Sequence, residues 1–186
     1  MTVQHNPDDA APAVLDFWFD EVGKERWFAK SDALDERIRT RFAALHGDLL
    51  ATRAKTWRDT PEHLLAAIIV LDQFSRNLHR GSAKAFAADP TALALTMLAL
   101  ERGWDADMTE ERRQLLLLPL MHSERLNDQQ RAMVEFARLG DANVLAFAKR
   151  HHDQIANFGR FPGRNAALGR RTTADEQDAL DNGAAF

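Results

Sequence analysis

The spacing of the apolar residues constrains this chain most. Leu34, Ile38, Phe42, Leu45 and Leu49 step by four, four, three and four. That places all five on one helical stripe and conflicts with the period of two of a half-buried strand. Alternating runs of β-branched and aromatic residues are nearly absent elsewhere, so the chain reads as all-α. The punctuation agrees. A helix opens near Ser31, and Thr60-Pro61-Glu62 combines a cap, a first-turn proline and an acid ahead of the apolar Leu64 to Leu71 run. Asp89-Pro90 repeats the device, with a stop at Gly103. Thr109-Glu110-Glu111 starts a helix that Pro119 is expected to kink or end. Asn127 with Gln130 resembles a capping box, and its helix should end near Gly140. Asp141 caps the next, where Val144, Phe147, Ala148, His151 and Ile155 share a stripe up to Gly159. Thr173 with Glu176 forms a last capping box.

This gives about eight helices with short connections, which favours antiparallel neighbours stacked as helical hairpins. No internal repeat is evident, and the Trp-Leu-Gly-Tyr pattern of tetratricopeptide units is missing. At 186 residues one helical domain is expected over 1–186, because a chain of this size removes roughly 70% of its unfolded surface from water. Residues 1–11 read as a flexible N-terminal arm and 159–171 as an Arg-rich loop.

Composition excludes more than it identifies. With no cysteine there is no disulfide framework, thiolate zinc site, iron–sulfur cluster or cysteine nucleophile, and cytoplasm is the expected compartment. The N-terminus lacks the basic and apolar regions of a signal peptide. The apolar run Leu64 to Leu71 is far shorter than the about 20 residues of a membrane span. A net charge of −4 argues against duplex nucleic acid and membrane surfaces as partners. P-loop, Gly-x-Gly-x-x-Gly, Gly-x-Ser-x-Gly and His-Glu-x-x-His patterns are absent.

Four polar clusters remain. In the first, Leu71-Asp72-Gln73-Phe74-Ser75-Arg76-Asn77-Leu78-His79-Arg80-Gly81, Gln73, Asn77 and Arg80 would share a helix face beside an Asp72–Arg76 pair. The ordinary alternative is a helix end with an ion pair and a cationic last turn. The second, His122-Ser123-Glu124 with Asp128, offers a histidine and a carboxylate past the Pro119 kink, where acid–base chemistry competes with a solvated turn. The third is His151-His152-Asp153; His151 sits on an apolar stripe, where an imidazole is more often a hydrogen-bonded core residue than a base. The fourth, Gly159 to Arg171, carries four arginines and no acid. Its Arg160 and Arg164 suit an anion, or else pair with Asp175, Glu176 and Asp178 to hold the last helix. The spacing of His122, Glu124 and His151 matches no metal motif, so neither a metal nor a cofactor is expected.

Several motifs resemble one family. Val14-Leu15-Asp16-Phe17-Trp18-Phe19, Leu71-Asp72-Gln73-Phe74-Ser75-Arg76-Asn77 with Arg80-Gly81, and Ala85-Phe86-Ala87-Ala88-Asp89-Pro90 carry the first part of the likeness. Leu118-Pro119-Leu120-Met121-His122-Ser123-Glu124 with Asp128-Gln129, and Phe158-Gly159-Arg160-Phe161-Pro162 with Arg164-Asn165, complete it. In that order they resemble the bacterial domain-of-unknown-function family 924, from about Val14 to Gln177. The resemblance implies an all-helical, tetratricopeptide-like fold and brings no activity, substrate or cofactor. It makes Asp72, Gln73, Arg76, Asn77, Arg80, His122, Glu124, Asp128, His151, Arg160, Arg164 and Asn165 family motif positions. One position departs: Gly163 stands where the family pattern has a histidine, so no mechanism is built on that place.

The sequence therefore sets up two expectations. In one, the clusters converge on an Arg-rich pocket for an anionic small molecule or acidic peptide end. There His122 or His151 is the base, Glu124 orients it, and Arg160 and Arg164 stabilise negative charge. Asp72, Gln73, Arg76, Asn77, Arg80, Asp128 and Asn165 then complete the binding surface. In the other, the chain is a non-catalytic scaffold for a protein partner, and the clusters are internal ion pairs. Single-stranded RNA on the arginine loop, stacking on Phe158 and Phe161, is a third option that the net acidity opposes.

Overall fold

Four helix starts are made by the side chains the sequence points to. Ser31 Oγ accepts from Leu34 N at 3.2 Å, Thr60 Oγ1 from His63 N at 3.1 Å, and Asp141 Oδ1 from Asn143 N at 2.9 Å. Thr173 and Glu176 exchange both bonds of a capping box. Each satisfies backbone N–H groups that a helix start otherwise leaves without partners. The computed structural model describes residues 5–183, and among these the regular structure is helical, with no strand. The helices are α1 (Pro7–Leu15), α2 (Asp32–Thr52), α3 (Pro61–Ile69), α4 (Ser75–Leu78), α5 (Asp89–Glu101), α6 (Glu110–Met121), α7 (Leu126–Ala137), α8 (Ala142–Phe158) and α9 (Ala174–Asp181).

The chain divides into two compact units. Unit 1 holds residues up to Arg80 together with 84–116, and unit 2 holds 81–83 with the residues from Leu117 onward. The N-terminal segment expected to be a flexible arm is helical from Pro7, with Ala11 fully buried; residues 1–4 of that arm lie outside the described residues.

In unit 1, α1 packs on α3, α3 on α5, and α2 on α4 and the residues before it. Two stretches wind as π-helix, Asp16–Val22 after α1 and Val70–Phe74 between α3 and α4. The second delivers Phe74 into an aromatic core. Its ring lies 5.0 Å from Phe42, 5.2 Å from Trp18 and 6.0 Å from Phe17, all buried. Arg41 covers the Phe17 ring at 4.5 Å and is held there by Glu21, which caps the apolar cluster with a cation–π contact. One continuous helical stretch, Ala83–Glu101, has the length and apolarity of a membrane span. Burial of Ala92, Leu95, Thr96 and Ala99 within it is what a core helix requires.

Three start and stop expectations are corrected. Helix α5 begins one residue early with Ala88 as a cap that makes no side-chain bond, because the Asp89 carboxylate is taken by Arg76. Helix α7 is entered at Arg125, not Asn127; Ser123 Oγ and Arg125 Nε both donate to Asp128 at 2.6 Å, which turns the chain earlier. Pro119 stays inside α6, which continues only to Met121. A proline this near the end costs one hydrogen bond without interrupting a long helix.

Local geometry makes two outcomes testable. Arg53 closes α2 in the left-handed region, φ 54° and ψ 36°, where a side chain is strained and glycine is not. Arg53→Gly should therefore raise the unfolding free energy by about 1 kcal/mol in a denaturant titration. The second concerns His46. Its Nε2 lies 2.7 Å from Ser75 Oγ, and that hydroxyl donates to Leu71 O, so Nε2 carries a proton and is the donor. Burial, with His79 nearby, pushes its pKa down to about 4. The unfolded chain takes up this proton near the ordinary value of about 6.5, the folded chain only near 4. This contribution is thus complete above the unfolded value and is lost as pH falls from there to about 4, on the order of 3 kcal/mol in all. Unfolding curves at neutral and mildly acidic pH should show the loss, and His46→Gln should reduce it.

Candidate functional site

The first cluster lies in unit 1. Asp72, 1% exposed, accepts from Gln73 Nε2 at 2.6 Å and meets Arg76 at 3.3 Å. Arg76 also reaches Asp89 at 3.1 and 3.2 Å and donates to Asp72 O. Asn77 and Arg80 turn the other way, and both donate to Asp35 near the start of α2, Asn77 at 2.7 Å. The single amide-and-guanidinium face expected from α-helical spacing is therefore split. The π-helical turn at Val70–Phe74 widens the repeat and rotates the next residues out of α register. Burial raises the Asp35 pKa, but hydrogen bonds from Arg80 and Asn77 outweigh it and hold the group below the usual range.

The other three clusters lie in unit 2, organised by two carboxylates. Glu124, in the α6–α7 connection, accepts from Phe161 N at 2.8 Å and from both terminal nitrogens of Arg170 at 2.8 and 3.0 Å. It thus binds the beginning and the end of the late loop. Glu176, 2% exposed, accepts from Arg160 at 2.6 and 2.9 Å, from Asn165 Nδ2 at 3.2 Å and from Thr173 N at 2.8 Å. These partners, Arg160 first, push its pKa down to about 2. For Glu124, burial acts upward, but Arg170 and the Phe161 N–H outweigh it and lower the value. The expected surface loop is accordingly pinned, with Phe161, Pro162 and Asn165 buried.

Arg164 donates to His122 O at 2.9 Å and lies over the Phe161 ring at 4.6 Å. His151 also meets that phenyl, edge-on with 5.5 Å between ring centroids, and His122 is 6.1 Å from His151. The structure thus brings His122, His151, Arg164 and Phe161 together. His151 Nδ1 sits 2.8 Å from Phe147 O, which can only accept, so Nδ1 carries the proton and Nε2 is the basic nitrogen. Burial, then His122, push its pKa down to about 3. Asp128 faces Ser123 and Arg125 beside a depression of about 390 Å³ lined by Arg125, Leu126, Asn127 and Asp128. Among the described residues no group of three or more potential ligands is placed to hold a metal ion.

Several residues that carry this architecture had no signal in the sequence. Asp35 and His46 fall among helix-surface spacings, and only α2 packing against the Val70–Phe74 segment and α4 gives them partners. Gln129 is fully buried and donates to Met121 O and Ser123 O at 2.7 and 2.6 Å, satisfying carbonyls at the end of α6. The Asp128-Gln129 pair in the family motif marked the place without giving the role.

An all-helical protein with two ion-pair-locked units is the class these features define. The chain belongs to the family described as bacterial protein of unknown function (DUF924), which matches residues 14–184. It is similar to the solved structure of the protein of unknown function ATU0120 from Agrobacterium tumefaciens, with 35% sequence identity and a TM-score of 0.90. That likeness covers 96% of this chain and 100% of the other. No curated protein matches.

The Glu176 clamp makes a testable claim about unit 2. Glu176→Ala should raise hydrogen exchange across the late loop and α9 while leaving the facing turns of α7 and α8 protected. Glu176→Gln, which keeps an acceptor but loses the charge, should fall between.

Proposed function

We propose that the chain is a non-catalytic helical-hairpin scaffold of tetratricopeptide-like kind, working in the cytoplasm through a protein partner. In this reading the polar clusters fix helix ends and the late loop. One observation carries it: Arg76, Arg80, Arg160 and Arg170 each close on a carboxylate of their own unit. An arginine paired in this way has its charge largely balanced already, and breaking the pair for another anion would strand a largely buried carboxylate, which is costly. Helices α7 and α8, which pack on each other across a short connection, expose Val134 and Phe147, and these supply apolar surface of the sort a partner covers.

A second reading is favoured by one feature. His151 has its basic Nε2 in a cluster with His122 and Arg164, the kind of grouping a general base needs. An anionic small molecule or acidic peptide end would then bind there without a cofactor, His122 or His151 taking the proton. Glu124 would act by fixing Arg170 and Phe161, and Asp72, Gln73, Asn77, Asp128 and Asn165 would keep structural duties.

A thermal-shift screen against anionic metabolites and divalent metals separates the two. A ligand at about 100 times its Kd adds about 2.7 kcal/mol, roughly 5–10 °C for a chain of this size. The scaffold reading expects no shift that depends on His122, so that His122→Ala leaves any response unchanged, and an Arg160→Ala variant that simply melts lower. A class of anion that stabilises the wild type and not His122→Ala overturns it.

A further inference from the structure

Among the described residues, no carboxylate pairs with the cations of the α2–α3 connection of unit 1. Residues 53–58 read Arg-Ala-Lys-Thr-Trp-Arg. Arg58 Nη2 donates to Arg53 O at 2.9 Å, Arg102 Nη1 donates to Arg58 O, and the Arg102 guanidinium lies over Trp104 at 4.5 Å. The two segments thus form one contiguous basic surface. The carbonyl bonds are the usual answer to the negative ends of helices, but each uses one of five guanidinium donors. Arg58 Nε is buried with no acceptor. Asp59 and Glu101, neighbours in sequence, are exposed, and among the described residues neither forms an ion pair with these groups. In a chain of net charge −4, Arg53, Lys55, Arg58 and Arg102 form a local excess of positive charge. The sequence signal was present, three basic residues and a tryptophan within six positions, but it lay outside the family motifs.

We propose that this surface is a binding site for a phosphate group, with Arg58 and Arg102 as forked donors, Lys55 as a point charge and Trp104 as the flanking ring. A tetrahedral dianion carries more charge and more acceptor oxygens than a carboxylate, which suits two guanidiniums and an ammonium with no acid among them. The shared chemistry is the phosphate itself, free or carried as the monoester of a nucleotide.

The test titrates the intact protein with inorganic phosphate and, separately, with adenosine monophosphate. Ionic strength is held constant with chloride, and both heat and tryptophan emission are followed. Trp18, Trp27 and Trp57 are buried and Trp104 is half-buried, so Trp104 is the solvent-facing reporter. Saturable binding is expected, and adenosine monophosphate binding more tightly than phosphate would place the phosphate on a nucleotide; equal affinity would point to free phosphate. Arg58→Ala with Arg102→Ala should weaken binding roughly tenfold or more. Lys55→Glu, at an exposed side chain with no hydrogen bond or ion pair among the described residues, should weaken it roughly three- to fivefold without moving the melting temperature. No saturable heat with either probe overturns the site, as does Lys55→Glu binding both as tightly as wild type. Binding confined to long polyanions would also overturn it, because that reports a diffuse field.

Discussion

A carboxylate taken out of water must be met by cations or hydrogen-bond donors, and in this protein that requirement governs how helices are held. Asp35 joins the start of α2 to the residues around Arg80. Asp72 and Asp89 share Arg76, which ties the stretch after α3 to the start of α5. Glu124 grips both ends of the late loop, and Glu176 holds α9 against it. Removing Asp35, Glu124 or Glu176 would take from Arg80, Arg170 or Arg160 its carboxylate, so geometry and charge balance are set by the same bonds.

The second structural device is the π-helical turn at Val70–Phe74. It lies at the end of the most apolar run, where an α-helix would carry Asp72 and Gln73 onward along one face. The wider turn puts Phe74 among Phe17, Trp18 and Phe42, while Asp72 keeps the i, i+4 pairing with Arg76 that the sequence predicts. Ser75 then reaches back to Leu71 O while receiving a bond from His46. Two buried histidines, His46 and His151, are neutral, one as a donor at Nε2 and the other at Nδ1. In both cases a backbone carbonyl sets the tautomer, directly for His151 and through the Ser75 hydroxyl for His46.

Helix existence was legible because it depends on neighbours in the chain. The stripe from Leu34 to Leu49 and the caps at Ser31, Thr60, Asp141 and Thr173 need only residues within a turn or two. Asp89 and Asn127 misled for one reason: a side chain that could cap its own helix was drawn elsewhere or bypassed, Asp89 by Arg76 and Asn127 by the Ser123–Arg125–Asp128 turn. The motif residues were located but their partners were not. Nothing local says that Arg160 meets Glu176 sixteen positions on, or that Arg170 meets Glu124 forty-six positions back.

The amino-acid sequence alone determined the helical class, most helix boundaries and the family, because periodicity, capping and ordered motifs are short-range or literal properties of the chain. Tertiary structure decided the division into two units, the pairing of each buried charge and the histidine tautomers. Those depend on which distant segment is brought within hydrogen-bonding reach, and over a few ångströms that proximity separates a closed ion pair from a cation left for a ligand.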